Sequence, residues 1–254
     1  MALSAERRER ILQLLQDDGR IVAADLPGRL GVSLDTVRRD LDELAATGLL
    51  RRVRGGALPP SPVSPRFVER VDKEVPAKRA IAQAAVDRLI APGQVLVLGG
   101  GTTVRQLAER LPDDLEATVI TTAPDVAVAL LGHPRLDVQQ VGGPVNPETR
   151  TVVGAEAVAA LARVRPDVCL LGACSVDADA GVTVLHRDEA LVESAMVRAS
   201  ARTAVLADHT KLGTAGRWVI GPVGDVDVLV TDREADPGLV AGIEQHGVEV
   251  VLAR

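Results

Sequence analysis

The sequence has no long apolar run and little cysteine. No stretch of about 20 residues is apolar and free of charge, which excludes a transmembrane helix. Arg7, Arg8 and Arg10 are not followed by the apolar segment of an export signal, so we expect a cytoplasmic protein without membrane contact. Cys169 and Cys174 lie in a predicted buried strand and at its exit. We therefore expect reduced core thiols there, not a disulfide or a metal pair.

Lysine is scarce as well. Lys73, Lys78 and Lys211 are the only lysines among 29 basic residues, and arginine occupies every other cationic position. Lysine is a compact point charge and arginine a wide planar fork, so a retained lysine favours a sterically constrained site. We predict that Lys211 reaches the phosphate or the hydroxyl groups of a ligand and that Lys78 supports its phosphate side; the alternative is that both are ordinary surface lysines.

Residues 31–56 combine helix signals with a regular apolar spacing. Ser33 can cap a helix through its hydroxyl and Gly48 can end one, which predicts a helix from about Leu34 to Thr47. Its apolar side chains recur at intervals of four and three residues, so they form one narrow stripe that faces a core. The stripe consists of Val37, Leu41 and Leu44.

The opposite side of this helix presents groups suited to a DNA duplex. Arg39 points away from the stripe, and Thr36 and Arg38 flank it near the helix start, where a helix in the major groove meets base edges. Residues 50–56 are rich in arginine and glycine, which indicates a small β-wing that contacts phosphates or the minor groove. The predicted DNA contacts are Ser33, which serves mainly as the cap, Thr36, Arg38, Arg39, Arg52 and Arg54.

The net charge of −6 is unevenly distributed. Residues 1–58 contain 10 Arg and 9 Asp plus Glu, a net charge of +1, and the 19 basic and 26 acidic residues beyond them give −7. Because the module is only weakly basic, its DNA affinity should depend on a few placed arginines and on several modules binding together. We therefore expect a homo-oligomer on a double-stranded DNA operator.

The chain beyond this module changes in character. Residues 59–66 are proline-rich and predict an extended linker between residues 3–58 and residues 70–254, packed into neither. In the larger part, short Val- and Leu-rich runs alternate with helical patterns, which predicts an α/β fold with a mainly parallel sheet covered on both faces. The predicted strands are residues 95–99, 118–122, 136–141, 167–172, 203–207, 227–231 and 248–252.

Loops at the carboxyl ends of parallel strands are the candidate binding elements. Residues 99–103 form a glycine-rich turn before a helix, where close backbone approach, free amides and two hydroxyls suit a phosphate. A plain tight turn is the alternative. The turn lacks the P-loop lysine and the spacing of a dinucleotide fingerprint, so no nucleotide cofactor is expected.

Acidic side chains complete the candidate ligand site. Asp177 follows the strand at 167–172, and Glu189 begins a helix, where it can complement the helix dipole or contact a ligand. No metal site or catalytic residue is predicted. The predicted effector-binding residues are Lys78, Gly100, Gly101, Thr102, Thr103, Asp177 and Lys211.

The N-terminal motifs resemble the winged helix-turn-helix of the DeoR family of bacterial transcription regulators. That family has a VS..T.RRDL run followed by G.L.R and a GGA wing, and this chain has VSLDTVRRDL, GLLRR and RGGA. Arg54 stands where the family usually has His, which keeps a cation before GGA. The resemblance implies a DNA-binding regulator, expected to be a repressor of a carbohydrate-metabolism operon.

The larger part resembles the sensor domain of the same family, which is similar in fold to ribose-5-phosphate isomerase. The resemblance covers most of residues 70–232 and implies control by a phosphorylated sugar or related metabolite. Gly99 and the pair at 122–123 stand where the family commonly has Asp and Asn-Ser, so we expect a ligand that is less polar or differently hydroxylated than the sugars of better-known members. The matching stretches include KRAIAQAA, VLVLGGGTTVRQLAERL, VITTAPDVAVAL, GACSVDADAGVT, DEALVESAM and DHTKLG.

A sugar-phosphate enzyme with an appended DNA-binding module is the alternative function. An isomerase needs a positioned acid and base to move a proton. The related isomerases carry an Asp-Glu pair where this chain has Cys174 and Ser175. A thiol and a hydroxyl do not replace that acid and base, so we expect a pocket that binds without turnover.

Overall fold

The N-terminal module consists of short helices packed against a small antiparallel wing sheet. The computed structural model describes residues 4–254, so the predicted start at residue 3 lies outside the described residues. Strand β3 lies between β1 and β2 and is antiparallel to both. In chain order the elements are α1 (Ser4–Asp18), β1 (Ile21–Val22), α2 (Leu26–Leu30), α3 (Leu34–Ala46), β2 (Arg51–Val53) and β3 (Gly56–Leu58).

Helix α3 forms where the sequence predicts it. The Ser33 hydroxyl accepts the amide of Thr36 at 3.2 Å, which satisfies one of the free donors at the helix start. After the helix, Gly48 takes a left-handed conformation with φ of 80°. The apolar stripe is buried in a core shared with α1, α2 and the wing, which includes Val37, Leu41, Leu44, Ile11, Leu14, Leu26 and Leu50.

The larger domain contains, within the described residues, a parallel sheet of seven strands in the order β15-β14-β12-β9-β4-β5-β6. Each of the seven coincides with a predicted strand to within one or two residues, so the α/β prediction is confirmed. The elements are α4 (Val75–Leu89), β4 (Val95–Leu98), α5 (Thr102–Ala108), β5 (Ala117–Thr121), α6 (Pro124–Leu130), β6 (Leu136–Gln140), β7 (Val145–Asn146), β8 (Thr151–Val152), α7 (Ala155–Leu161), β9 (Val168–Gly172), β10 (Ser175–Asp177), β11 (Gly181–Val184), α8 (Arg187–Ala199), β12 (Arg202–Leu206), β13 (Trp218–Gly221), β14 (Val228–Asp232), α9 (Pro237–Glu244) and β15 (Glu249–Ala253).

The strand order creates a topological switch point at β4. From β4 the chain adds β5 and β6 on one side, then returns to place β9 and β12 on the other. Such a reversal leaves a crevice at the carboxyl ends of the two diverging strands, where ligands bind in open α/β sheets. The loops after β4, β9 and β12 therefore meet at one edge.

Successive side chains of the central strands point to opposite faces of the sheet, and both faces are buried. On β4, Leu96 and Leu98 pack in a cluster with α4 and α5, whereas Val97 packs in another with α7 and α8. Buried apolar surface contributes roughly 25 cal/mol per Å² to stability, so a strand buried on two sides is held firmly. The candidate loops thus extend from a rigid support.

Two smaller antiparallel units were not predicted. Strands β10, β11 and β13 form one sheet in that order, and β7 pairs with β8 in a hairpin. Their strands are two to four residues long and separated by glycine, proline and polar residues. Runs this short carry too little alternation to be recognised from sequence.

The linker packs against the larger domain, so the expectation that it packs into neither domain is wrong. Ala215 donates its amide to the Pro59 carbonyl at 3.1 Å, and Ser61 donates its amide to the Ala215 carbonyl at 3.0 Å. The Ser61 hydroxyl donates to the Cys174 carbonyl at 2.9 Å. Proline lacks an amide donor, but its carbonyl accepts, and an extended backbone can pair like a strand.

The two cysteines, Cys169 and Cys174, are buried free thiols, as predicted. Burial raises the pKa of both, to about 12 for Cys174, so both remain neutral. Within residues 4–254, none of the helices combines the length and apolar character that crossing a bilayer requires.

Candidate functional site

The exposed side of α3 carries most of the predicted DNA contacts. Arg38 and Arg39 are exposed, and the partly exposed Thr36 has its hydroxyl 3.0 Å from that of Ser33. Arg38 lies 3.5 Å from Asp35, whereas Arg39 has no ion pair among the described residues. Arg39 is thus the more available of the two cations.

The wing presents the remaining predicted contacts. Arg52 lies 3.0 Å from Asp42 of α3 and donates to the Gly56 carbonyl at 3.2 Å, which connects the wing to the helix. Arg54, in the turn between β2 and β3, is exposed and has no ion pair within the described part of the chain. The six predicted residues all lie on or next to α3 and the wing, and their contacts with DNA stay a prediction.

A buried ion pair fixes the orientation of α3. Asp40 is 3% exposed, and both of its oxygens accept from the Arg7 guanidinium of α1, one of them at 3.0 Å. Two parallel bonds of this kind hold planar groups in one orientation, and the hydrogen bond to Asp40 raises the pKa of Arg7. Sequence reasoning missed this pair because Asp40 stands beside the outward-facing arginines.

A cavity of about 250 Å³ lies at the sheet edge where the loops after β4, β9 and β12 meet. The linker and α8 also line it. This is the crevice expected at the switch point. Of the predicted effector residues, the cavity brings together Lys78, Gly100, Gly101, Thr102, Thr103 and Lys211.

Asp177 lies apart from the other predicted effector residues. Asp177 does not line the cavity; its Oδ1 accepts the amides of Asp179 and Ala180 at 2.9 Å and closes the β10–β11 turn. Asp and Asn commonly stabilise turns in this way. Gly99 and residues 122–123 also lie outside the lining, so the interpretation of these departures as ligand contacts has no support in the cavity.

The two lysines lie inside the cavity, not on an open surface. The Lys78 ammonium donates to the carbonyls of Arg70, at 2.7 Å, and Lys73, and so secures that segment. Burial and the nearby charge of Lys211 lower the pKa of Lys78 to about 8. Lys211 lies 3.3 Å from Asp208. Although burial opposes it, the charge of Lys211 keeps the pKa of Asp208 below its usual range.

Two buried carboxyl groups of α8 line the same cavity. Glu189 accepts a hydrogen bond from the Thr151 hydroxyl at 3.2 Å. Burial raises the pKa of Glu189, and burial together with the charge of Glu189 raises that of Glu193 well above its ordinary value. Glu189 thus lies both in the first turn of α8 and in the cavity wall.

Sequence reasoning missed Arg70, Glu193 and Asp208. Arg70 follows a short 3-10 helix (Phe67–Glu69), and its charge acts on both glutamates. Glu193 did carry a signal: it lies on the side of α8 that also buries Val192 and Met196. An acidic residue on the apolar side of a helix indicates a special environment.

Linker residues form part of the cavity wall. Pro62, Val63 and Ser64 line it. The loop after β12, which carries Lys211, continues to Thr214, whose hydroxyl donates to the Lys211 carbonyl at 3.0 Å, and then to Ala215, which pairs with the linker. The cavity and the connection to the DNA-binding module are therefore continuous.

Two domain families match the chain. The DeoR-like helix-turn-helix domain matches residues 7–63, and the DeoR C terminal sensor domain matches residues 73–233. The chain is 35% identical over 252 residues to the HTH-type transcriptional regulator GlpR of Haloferax volcanii, covering 98% of each chain. It is 29% identical over 247 residues to the glycerol-3-phosphate regulon repressor of Haemophilus influenzae, covering 97% of this chain and 96% of the relative.

Among solved structures, ribose 5-phosphate isomerase A of Methanocaldococcus jannaschii is similar to part of this chain. The similar region covers 53% of this chain and 52% of the isomerase, with a TM-score of 0.38 and 18% sequence identity.

The match to the sensor domain covers more than half of the chain, and the matched relative at 35% identity is aligned along nearly its whole length. The sequence motifs, the winged helical module and the α/β domain agree with the domain match and with this relative. The chain belongs to the DeoR family of DNA-binding transcription regulators.

Proposed function

We propose that the protein represses a carbohydrate-metabolism operon and that a phosphorylated sugar bound in the cavity controls its affinity for DNA. The observation that carries the proposal is the composition of the cavity wall, in which cationic side chains meet linker residues. An anionic ligand held by Lys211 also contacts the segment that leads to the wing. A relative named as a glycerol-3-phosphate regulon repressor supports a phosphate ester as the class of effector.

In this proposal, Arg39 and Arg38 read base edges from α3, while Arg52 and Arg54 contact phosphates. Arginine forms paired hydrogen bonds with guanine in the major groove, the commonest specific contact of this type. One module reads only a few base pairs, so a homo-oligomer provides the affinity for an operator. The working division of the chain is residues 3–58 for DNA, 59–66 for the linker and 70–254 for the effector.

The alternative is a sugar-phosphate isomerase. Cys174 lines the cavity, but burial and the charge of Glu189 raise its pKa to about 12, so the thiol does not exchange protons near neutral pH. Ser175 donates its hydroxyl to the Cys174 carbonyl at 2.7 Å. Both groups favour a pocket that binds over one that catalyses.

A polarisation titration tests the proposal. Labelled DNA from the region upstream of the gene is titrated with the full-length protein, then with phosphorylated and free sugars. We expect tight binding that one phosphorylated sugar alters at least about tenfold, a coupling of the size usual for allosteric proteins. DNA binding that no sugar changes would remove the sensor role, and turnover of a phosphosugar without DNA binding would establish the enzyme.

A further inference from the structure

Glu193 has a buried oxygen without a hydrogen-bond partner, which indicates a ligand-binding role. The side chain is 5% exposed and lines the cavity, yet its Oε2 has no hydrogen-bond partner among the described residues. Glu189, four residues earlier on the same face of α8, is paired with the Thr151 hydroxyl. A buried polar atom without a partner is costly, so each such atom in a native structure calls for an explanation.

Thr103 shows the same property on a different element. Its side chain is 2% exposed in the first turn of α5, and its hydroxyl also lacks a partner within the described part of the chain. It lines the same cavity. Glu193 and Thr103 lie on separate elements of one cavity, and a ligand that pairs with both explains their unpaired atoms together.

We propose that Glu193 and Thr103 recognise hydroxyl groups of the effector and so determine which phosphate ester the cavity selects. The inference rests on the proposed function and adds the specificity of the site to it. A sugar hydroxyl both donates and accepts, so it can satisfy a threonine hydroxyl and a carboxyl group at once. The lysines hold the phosphate together with Arg70, whose buried Nε also has no partner among the described residues, and Glu193 and Thr103 select the remainder of the molecule.

The environment of Glu193 suits this role. Glu189, Glu193, Arg70 and Lys211 line the cavity together. Burial and the charge of Glu189 favour the neutral form of Glu193 by raising its pKa, although Arg70 opposes this. A neutral carboxyl group has one donor and retains an acceptor, and it does not repel a phosphate as a second carboxylate would.

Calorimetric titration of the full-length protein tests the inference. The probes are inorganic phosphate, glycerol 3-phosphate, glucose 6-phosphate, fructose 1-phosphate and fructose 6-phosphate. The wild type should bind its best ester more tightly than inorganic phosphate. Glu193→Ala should reduce this preference about tenfold while phosphate affinity is unchanged, and Thr103→Val, in the turn predicted to hold the phosphate, should weaken ester binding more than phosphate binding. Glu193→Gln, which keeps a donor and an acceptor, should retain most of the preference.

The controls separate the possible failures. Glu244→Ala removes an exposed carboxylate of α9 and should change nothing. DNA affinity equal to that of the wild type shows that each variant is folded. An unchanged preference in Glu193→Ala and Thr103→Val overturns the inference, as does an equal loss for phosphate and ester. If the wild type binds no ester, or an ester binds without altering DNA affinity, the proposed function itself fails.

Discussion

At the scale of single residues, the arginines of the DNA-binding module differ in how firmly they are held. Arg38 and Arg52 pair with carboxylates of their own module, whereas Arg39 and Arg54 have no such partner in residues 4–254. An exposed ion pair contributes only about 0–1 kcal/mol, so it orients an arginine without preventing contact with DNA. Arg39 and Arg54 need not break an ion pair before they contact DNA, so we expect them to bind a duplex more readily than Arg38 and Arg52.

Arg39→Ala should lower affinity for the operator roughly 10- to 100-fold, because one bidentate base contact provides about 1–3 kcal/mol of discrimination. Affinity for an unrelated duplex should fall much less. Polarisation on both DNAs measures the difference, and the exposed Arg198→Ala of α8 is the matched control. Effector binding should be intact; its parallel loss would indicate misfolding.

The lowered pKa of Lys78 predicts how pH affects effector binding. In the folded state its pKa is about 8, below the ordinary 10.5. Between these two pH values the folded state binds fewer protons than the unfolded state. The contribution of Lys78 to the free energy of unfolding therefore rises with pH. An anionic ligand favours the protonated lysine, so affinity for a phosphate ester should fall as pH rises through about 8.

Calorimetry from pH 6.5 to 9.5 measures this dependence on the full-length protein. Lys78→Met should weaken binding and abolish the decline above pH 8. Lys73→Met, which removes the exposed lysine of the same cavity, should keep the decline. A decline that persists in Lys78→Met would assign the titration to another group.

At the scale of elements, the wing depends on one close approach. Gly56 of β3 pairs with Val22 of β1 and Val53 of β2. A Cβ at Gly56 would lie 1.7 Å from the Ile21 carbonyl oxygen, a backbone atom that cannot move alone. The wing sheet therefore requires glycine at this position.

Gly56→Ala should destabilise the DNA-binding module by about 3 kcal/mol through this clash. Urea unfolding measures the change, and DNA affinity should fall while effector affinity is retained. Gly28→Ala is the control, since a Cβ there meets nothing within 4 Å and alanine favours α2 by up to about 1 kcal/mol. Equal effects of the two substitutions would contradict the close approach.

Elements were predictable from sequence where the pattern was long or capped. The Ser33 cap and the stripe fixed α3, and uniform apolar runs revealed the strands of the parallel sheet. Asp177 lies away from the cavity because β10 begins three residues after β9, so the segment expected to be a loop after β9 is itself a strand. The cavity includes Glu193 and Asp208 through contacts distant in sequence, which local patterns do not contain.

At the scale of the whole molecule, an ion pair and the linker are among the contacts that join the module to the larger domain. The ion pair is exposed and joins Arg20 to Asp179. The linker forms hydrogen bonds to Ala215 and to the Cys174 carbonyl. Because an exposed pair contributes little, the linker is the better candidate for coupling the effector to DNA.

Ser61→Ala should weaken this coupling. It removes the hydrogen bond to the Cys174 carbonyl, worth about 1 kcal/mol, so the effector-induced change in DNA affinity should shrink about fivefold. DNA affinity without effector should remain close to that of the wild type. Polarisation with and without a phosphorylated sugar measures both, and Ser200→Ala, which removes a 2.8 Å bond to the Met196 carbonyl, is the control.

The packed linker also determines where this protein can be recombined with its relatives. Residues 62–64 belong to the wall of the ligand cavity, so a chimera joined at residue 66 would give the larger domain a foreign wall. A chimera joined at residue 58 would exchange the operator preference and keep the native effector response. The modular unit for evolution and for engineered biosensors therefore begins with the prolines and not after them.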